Sequence, residues 1–114
     1  MAIPRELDPN GIVAGEPGAK LDQGKIRAGL LMDFSLALME VSKICTFGAE
    51  KYSTRGWISV PNGQDRYYDA MIRHLLKENH EELDEDSGLS HQAHAAWNAL
   101  ARLELLLREK NGDI

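Results

Sequence analysis

The chain has 114 residues, 43% hydrophobic and 27% charged, and its 13 Lys and Arg against 18 Asp and Glu leave a net charge of −5. That length suits one domain with a real core and excludes a second, in a composition ordinary for a soluble globular protein. An acidic balance without a Lys/Arg cluster argues against a duplex-DNA face or any stable nucleic-acid partner, but leaves room for a small polyanion such as a nucleotide held by a few cations and a divalent ion.

Cys45 stands alone within an apolar helical stretch, so it is expected to be a small core residue in a chain without a disulfide framework, which suits a reducing cytoplasm. No run of about 18 apolar residues and no signal-peptide pattern is present, so no membrane association is expected.

Met1 to Ala19 carries Pro4, Pro9 and Pro17 with Gly11, Gly15 and Gly18 and reads as an irregular arm, with the helical domain following over 20–114. Next comes Lys20-Leu21-Asp22-Gln23-Gly24-Lys25, whose lysines could reach a phosphate although the GK[ST] ending of a Walker loop is missing. From Asp33 or Ser35, either a suitable N-cap, to Tyr52 the period predicts a helix. Ala37, Leu38, Val41, Ile44, Cys45 and Gly48 line one face of it, with Gly48 a candidate for a close helix–helix approach, while Lys43 and Glu50 project elsewhere.

Ser53 to Asp65 is a loop broken by Gly56, Pro61 and Asn62-Gly63. Trp57 within it either packs as a lid on the core or offers a flat surface to a ring-shaped ligand. Arg55 and Arg66 flank it and suit phosphate or acidic partners.

A second helix is predicted from about Asp65 to Leu83. On a wheel its apolar sector is Tyr67, Tyr68, Met71, Ile72, Leu75 and Leu76, and one edge continues through His74, Glu78 and Glu82. Carboxylates pointing with a buried stripe need a cationic partner, and a metal is one. The turn Ser87-Gly88-Leu89 leads into a third helix, about Ser90 to Lys110. Ala93, Ala96, Trp97, Leu100, Leu103 and Leu107 make its wide apolar face, and His91, His94, Asn98 and Arg102 form a narrow stripe opposite that resembles a cleft lining.

Three long helices without a convincing period of two predict an all-α bundle, and the apolar surface left over, notably Leu105, Leu106 and Leu107, predicts pairing into a homodimer or higher homo-oligomer. Carboxylates at helical spacing facing imidazole and amide groups suit Mg²⁺ or Mn²⁺, with the histidines tilting the balance toward Mn²⁺ or Zn²⁺. Such ions would bridge phosphate oxygens and lower the pKa of a bound water. No nucleophile has an obvious base beside it, so hydrolysis by water is expected in preference to a covalent intermediate.

Several motifs in order add a family resemblance. Lys20-Leu-Asp-Gln-Gly-Lys25, Gly48-Ala-Glu-Lys-Tyr52 with Gly56-Trp57, Arg66-Tyr67, Asp69-Ala70, Arg73-His74-Leu-Leu76, Asp86-Ser-Gly-Leu89, and His94 with Ala96-Trp-Asn-Ala-Leu-Ala-Arg-Leu-Glu104 resemble the phage dATP/dGTP diphosphohydrolase domain, which is related to the MazG-like all-α nucleotide pyrophosphohydrolases. The match runs from about Gly18 to Arg108. It implies an enzyme dependent on Mg²⁺ or Mn²⁺ that cuts a purine deoxynucleoside triphosphate into monophosphate and pyrophosphate, in some phages serving genomes with 2-aminoadenine in place of adenine.

Carried over by position, Glu78-x-x-Glu81 corresponds to the first metal-binding pair of the MazG-like pattern. The second pair, ExxD, is absent: His91, His94 and Asn98 stand there, and Glu50 with Asp84 or Asp86 are candidate replacements. The resemblance thus implies Glu78, Glu81 and Glu82 as metal-binding and catalytic residues, and Glu50, Asp84 and His94 as further ligands. Lys25, Lys51, Arg66 and Arg73 would contact phosphate, Tyr52 and Trp57 would stack on the purine, and His91, His94 or Asn98 would orient the substrate. A non-catalytic nucleotide-binding or regulatory helical oligomer is the alternative, and a purely structural oligomer with interhelical ion pairs is a third.

Overall fold

A computed structural model describes residues 4–113, so the first three residues of the expected arm lie outside it. Its regular elements are helical, as expected: α1 (Ser35–Lys51), α2 (Gly63–Lys77) and α3 (His91–Lys110), with 3-10 turns at Ala28–Phe34 and Gly56–Ser59. Among the described residues, strand pairing is confined to the isolated bridges Leu7↔Val13 and Leu83↔Ser90. The chain divides into two compact units at Asp33/Phe34.

In the first unit the irregular path is organised by Asp8. Its Oδ1 accepts the N–H groups of Asn10 at 2.9 Å and Ile12 at 2.8 Å, and its Oδ2 accepts that of Lys20 at 3.1 Å. These bonds, that from Ile12 foremost, hold the carboxyl below the usual carboxylate range. One side chain thus satisfies backbone donors that a segment rich in proline and glycine cannot pair in a helix or sheet.

In the second unit α2 packs chiefly on α3, and α1 packs on α3 along a narrower strip. That strip is Val41 and Ile44, with Leu38 and Gly48 half-buried beside them. Neither expected cap, Asp33 or Ser35, closes the start of α1. Phe34 takes that position without a side-chain bond, because the chain already turns in the preceding 3-10 stretch. Cys45, expected in the core, is exposed, one step past a contact strip too narrow to reach it. A Cβ on Gly48 would meet nothing within 4 Å, so the expected close approach is absent.

The loop before α2 carries an aromatic cluster. Trp57, Tyr67 and Trp97 meet edge to face with ring centroids 5.5–6.3 Å apart, and the Tyr67 hydroxyl donates to the Trp57 carbonyl at 2.6 Å. Trp57 therefore packs on neighbours of its own chain. α2 starts at Gly63, where the backbone lies so close to α3 that a Cβ would stand 3.1 Å from Leu105 Cδ1.

Two expectations about the helix pair need correction. α2 stops at Lys77 instead of running to Leu83: the Lys77 carbonyl accepts the N–H groups of both His80 and Glu81 at 2.9 Å, and the chain leaves the helix in a turn. α3 starts as expected, with Ser90 as N-cap accepting the Ala93 N–H at 3.0 Å, but the polar stripe expected outside is buried and the leucines expected inside are exposed. His91, His94, Ala95, Asn98, Ala101 and Leu105 are buried, and of the expected apolar face Ala93 is buried and Trp97 joins the aromatic cluster, whereas Ala96 is exposed and Leu100, Leu103 and Leu107 are 46–50% exposed. Small and polar side chains on the buried stripe let α2 come close, and the leucine stripe is left to face outward. Arg102 joins the packed side, with its guanidinium 4.8 Å from the Tyr68 ring and its Nε donating to the Gln64 carbonyl at 3.3 Å.

Candidate active site

The buried polar stripe of α3 meets the last turn of α2 and the segment between them. That segment doubles back through Asp84 N–H to the Leu89 carbonyl at 2.7 Å and Gly88 N–H to the Asp84 carbonyl at 2.8 Å, with Gly88 at φ 72°. The left-handed φ explains why glycine is needed there. Asp84 and Ser87 are fixed by the same turn. Asp84 Oδ2 accepts the Ser87 N–H at 2.9 Å, and Ser87 Oγ accepts the Leu89 N–H at 3.1 Å. The His91 N–H then bonds the Glu82 carbonyl at 3.1 Å, seating the first turn of α3 on the loop.

Three imidazoles converge on this turn. His74 of α2 stacks on His94 with centroids 4.4 Å apart and planes 10° apart, and its Nδ1 lies 2.9 Å from His91 Nδ1. His91, 0% exposed, places its Nε2 3.0 Å from Glu81 Oε1. His94 Nε2 lies 2.6 Å from Ser87 Oγ and 3.7 Å from Asp84 Oδ2, with the edge of Phe47 against its ring.

The hydrogen bonds decide the tautomers. An ionised Glu81 only accepts, so His91 Nε2 carries the proton and, in the neutral ring, Nδ1 is the acceptor. The proton shared between the two Nδ1 atoms then belongs to His74, whose Nε2 is left with a free lone pair. Burial, aided by His94, drives the His74 pKa down to about 4, and burial also lowers that of His94 against the pull of Asp84. Burial alone would raise the Asp84 carboxyl, but the hydrogen bonds from Ser87 and the nearby His94 and His74 bring it below the usual range. At neutral pH both His74 and His94 are therefore neutral beside an ionised carboxylate.

That is the protonation state a metal needs from its ligands. One donor atom each from His74, Asp84 and His91 lie within 4.8 Å of one another, and the carboxylate of Glu81 backs His91 from the far side. The donor set fits a divalent ion. Ser87, His94 and Asp84 are close but do not make a nucleophilic triad, because the carboxylate sits on the same imidazole nitrogen as the hydroxyl instead of on the opposite one.

Of the residues singled out in the sequence, Glu81, Asp84, His91, His94 and Asn98 come together here. Asn98 is buried and donates to the His94 carbonyl at 2.9 Å. Glu78 and Glu82 do not point into the helix seam: both are exposed, lining a shallow groove with Asn79, Ser90 and Gln92. Glu50, Arg66 and Arg73 are exposed on α1 and α2, and Tyr52 is 76% exposed. Lys51 pairs with Asp86 of the site loop and lies 5.6 Å from the Phe47 ring centroid. Lys25 is exposed in the first unit. Sequence reasoning missed His74 and Ser87 as site residues. His74 was visible on the right edge of the α2 wheel, and Ser87 lay in the Asp84-x-x-Ser-Gly turn.

Fold and site together define an all-helical domain with a histidine–carboxylate centre where the end of α2 and the start of α3 meet the loop between them. Residues 15–114 match the family described as dATP/dGTP diphosphohydrolase, N-terminal, and the chain belongs to that family. It is 36% identical over 97 residues to a dATP/dGTP diphosphohydrolase of Salmonella phage PMBT28, covering 84% of this chain and 32% of the phage protein. The chain thus spans about a third of the length of that relative. No solved structure matches it. Among the described residues no helix is long and apolar enough to cross a membrane.

Proposed function

We propose that this domain hydrolyses dATP or dGTP between the α and β phosphates, releasing the deoxynucleoside monophosphate and pyrophosphate with the help of a divalent metal ion. The observation that carries the reading is the convergence of His74, Asp84 and His91 on one point in a chain whose phage relative bears the name dATP/dGTP diphosphohydrolase.

In this reading His74, Asp84 and His91 hold the ion and Glu81 holds His91. When bound, the ion supplies positive charge to phosphate oxygens and lowers the pKa of a water. The water oxygen bonds to Pα, the bridging Pα–O bond breaks, and its electrons leave with pyrophosphate. His94, neutral through burial, takes the proton of the attacking water. Asn98 fixes the His94 turn through its carbonyl bond. Lys51, paired with Asp86 of the site loop, is a candidate phosphate contact, with Arg66 and Arg73 of the same unit further candidates. Glu50, Glu78 and Glu82, exposed away from the imidazoles, are given no role in this reading, Trp57 serves packing, and exposed Tyr52 remains the candidate for purine stacking.

The outward leucine stripe of α3 supports pairing with a second copy in a MazG-like oligomer, and a phage origin would put the activity in the host cytoplasm, where it could serve a genome containing 2-aminoadenine. The second reading, a non-catalytic nucleotide-binding or regulatory helical oligomer, draws on one fact: His91, His94 and Asn98 stand where the MazG-like pattern has its second acidic pair. Pyrophosphate release from each of the four deoxynucleoside triphosphates, with Mg²⁺, Mn²⁺ or Co²⁺, tests both. Release from dATP or dGTP supports hydrolysis, and binding without release favours the second reading.

A further inference from the structure

Resting on that reading, the geometry points to a single-ion site of two imidazole nitrogens and one carboxylate, His74, His91 and Asp84, that selects a late transition ion such as Co²⁺ or Zn²⁺ over Mg²⁺, with Glu81 as a positioning residue and not a ligand. A first-row ion bonds nitrogen and oxygen at roughly 2.0–2.2 Å, so neighbouring donors on it stand roughly 3.0–3.6 Å apart. The two Nδ1 atoms are already 2.9 Å apart, and an ion entering between them takes the place of the proton on His74 Nδ1, which moves to Nε2. The Asp84 oxygen, within 4.8 Å of its partners, has less than roughly 2 Å to travel.

The immobile part of the site is its nitrogen part. His91 is 0% exposed and clamped on both ring nitrogens, and it lies one residue from the Ser90 cap that fixes the helix start. Mg²⁺ demands oxygen donors and gives up water reluctantly, so a pocket whose rigid donors are imidazoles disfavours it. Glu81 is 48% exposed on its side chain and reaches His91 through Nε2, the nitrogen turned away from His74. A carboxylate accepting that N–H fixes the imidazole tautomer and turns the Nδ1 lone pair toward the ion.

Co²⁺ titration of the metal-stripped domain, followed by visible absorption and isothermal calorimetry, tests this apart from turnover. The expected result is one Co²⁺ per chain, undisturbed by a thousandfold excess of Mg²⁺. Glu81→Ala should weaken Co²⁺ binding about 10–100-fold without moving the absorption bands, and Glu81→Gln should weaken it less, since its amide oxygen still accepts from Nε2. His91→Asn should abolish the bands. Displacement of Co²⁺ by comparable Mg²⁺, or a Glu81→Ala protein with native affinity or shifted bands, overturns the inference. The Mg²⁺ competition needs no variant and so stands even if one fails to fold. Hydrolysis with Mg²⁺ and no transition ion bound would leave the proposed function standing and remove this site. Selective Co²⁺ binding without hydrolysis would do the opposite.

Discussion

The buried imidazole of His74 makes the fold acid-sensitive in a calculable way. In the unfolded chain the ring titrates near 6.5, and in the folded chain at about 4. Between those values the unfolded state holds a proton that the folded state refuses, so stability is full above pH 6.5 and falls as pH drops toward 4. Each unit of difference corresponds to about 1.4 kcal/mol. Partial solvent access screens the group, which reduces the total to roughly 2 kcal/mol. The titratable groups facing His74 are His91 at 2.9 Å, stacked His94, Asp84 and Lys77.

Urea unfolding followed by the fluorescence of Trp57 and Trp97 at pH 7.5, 6.5, 5.5 and 4.5 measures this loss. His74→Asn, which breaks the imidazole pair, should be less stable at pH 7.5 but show a pH slope shallower by close to one proton. The depressed His94 acts in the same direction in both proteins, so the difference isolates His74. Equal slopes, or a His74 NMR titration near 6.5, would refute the reasoning.

Ser90→Ala removes the acceptor for the Ala93 N–H and should cost about 1 kcal/mol in urea unfolding. Gly63→Ala sets a methyl 3.1 Å from Leu105 Cδ1 and 3.3 Å from Tyr67 Cε2 and should destabilise by about 1–2 kcal/mol, whereas Gly48→Ala, with open space around it, should be neutral or slightly stabilising. Leu100→Glu with Leu103→Glu on the outward stripe should shift the protein to monomer in light scattering with helicity retained. Loss of the fold in that double variant would place those leucines in the core of the single chain.

The helical period was readable because it is a property of local spacing. It located α1 and α3 within a residue or two and identified Ser90 as the boundary of α3. It could not tell which of the two α3 stripes lies inside. Leucine is the more apolar side chain, but Ala95, Ala101 and the flat rings of His91 and His94 let α2 approach closely, and the polar atoms on that stripe find partners once Asp84, Ser87 and Glu81 arrive. Those partners are supplied by a loop, and nothing in the wheel foresees a loop.

The end of α2 was hidden for a related reason. Glu78, Asn79 and His80 include no glycine or proline to stop a helix, and extending the wheel through them aligned Glu78 and Glu82 with His74. The actual stop comes from the longer-range bridge Leu83↔Ser90 and the turn at Gly88. It moves those two carboxylates away from the histidines and brings Glu81 and Asp84 against them, so the acids at the seam were anticipated in kind and only partly in position.

An anomalous difference map from crystals soaked in Mn²⁺, recorded near the manganese edge, bears most directly on the centre of the account. The expected peak lies between His74, His91 and Asp84, with Glu81 bonded to the far nitrogen of His91 and outside bonding distance of the ion. A peak between Glu78 and Glu82, or none near the histidines at saturating Mn²⁺, would contradict it.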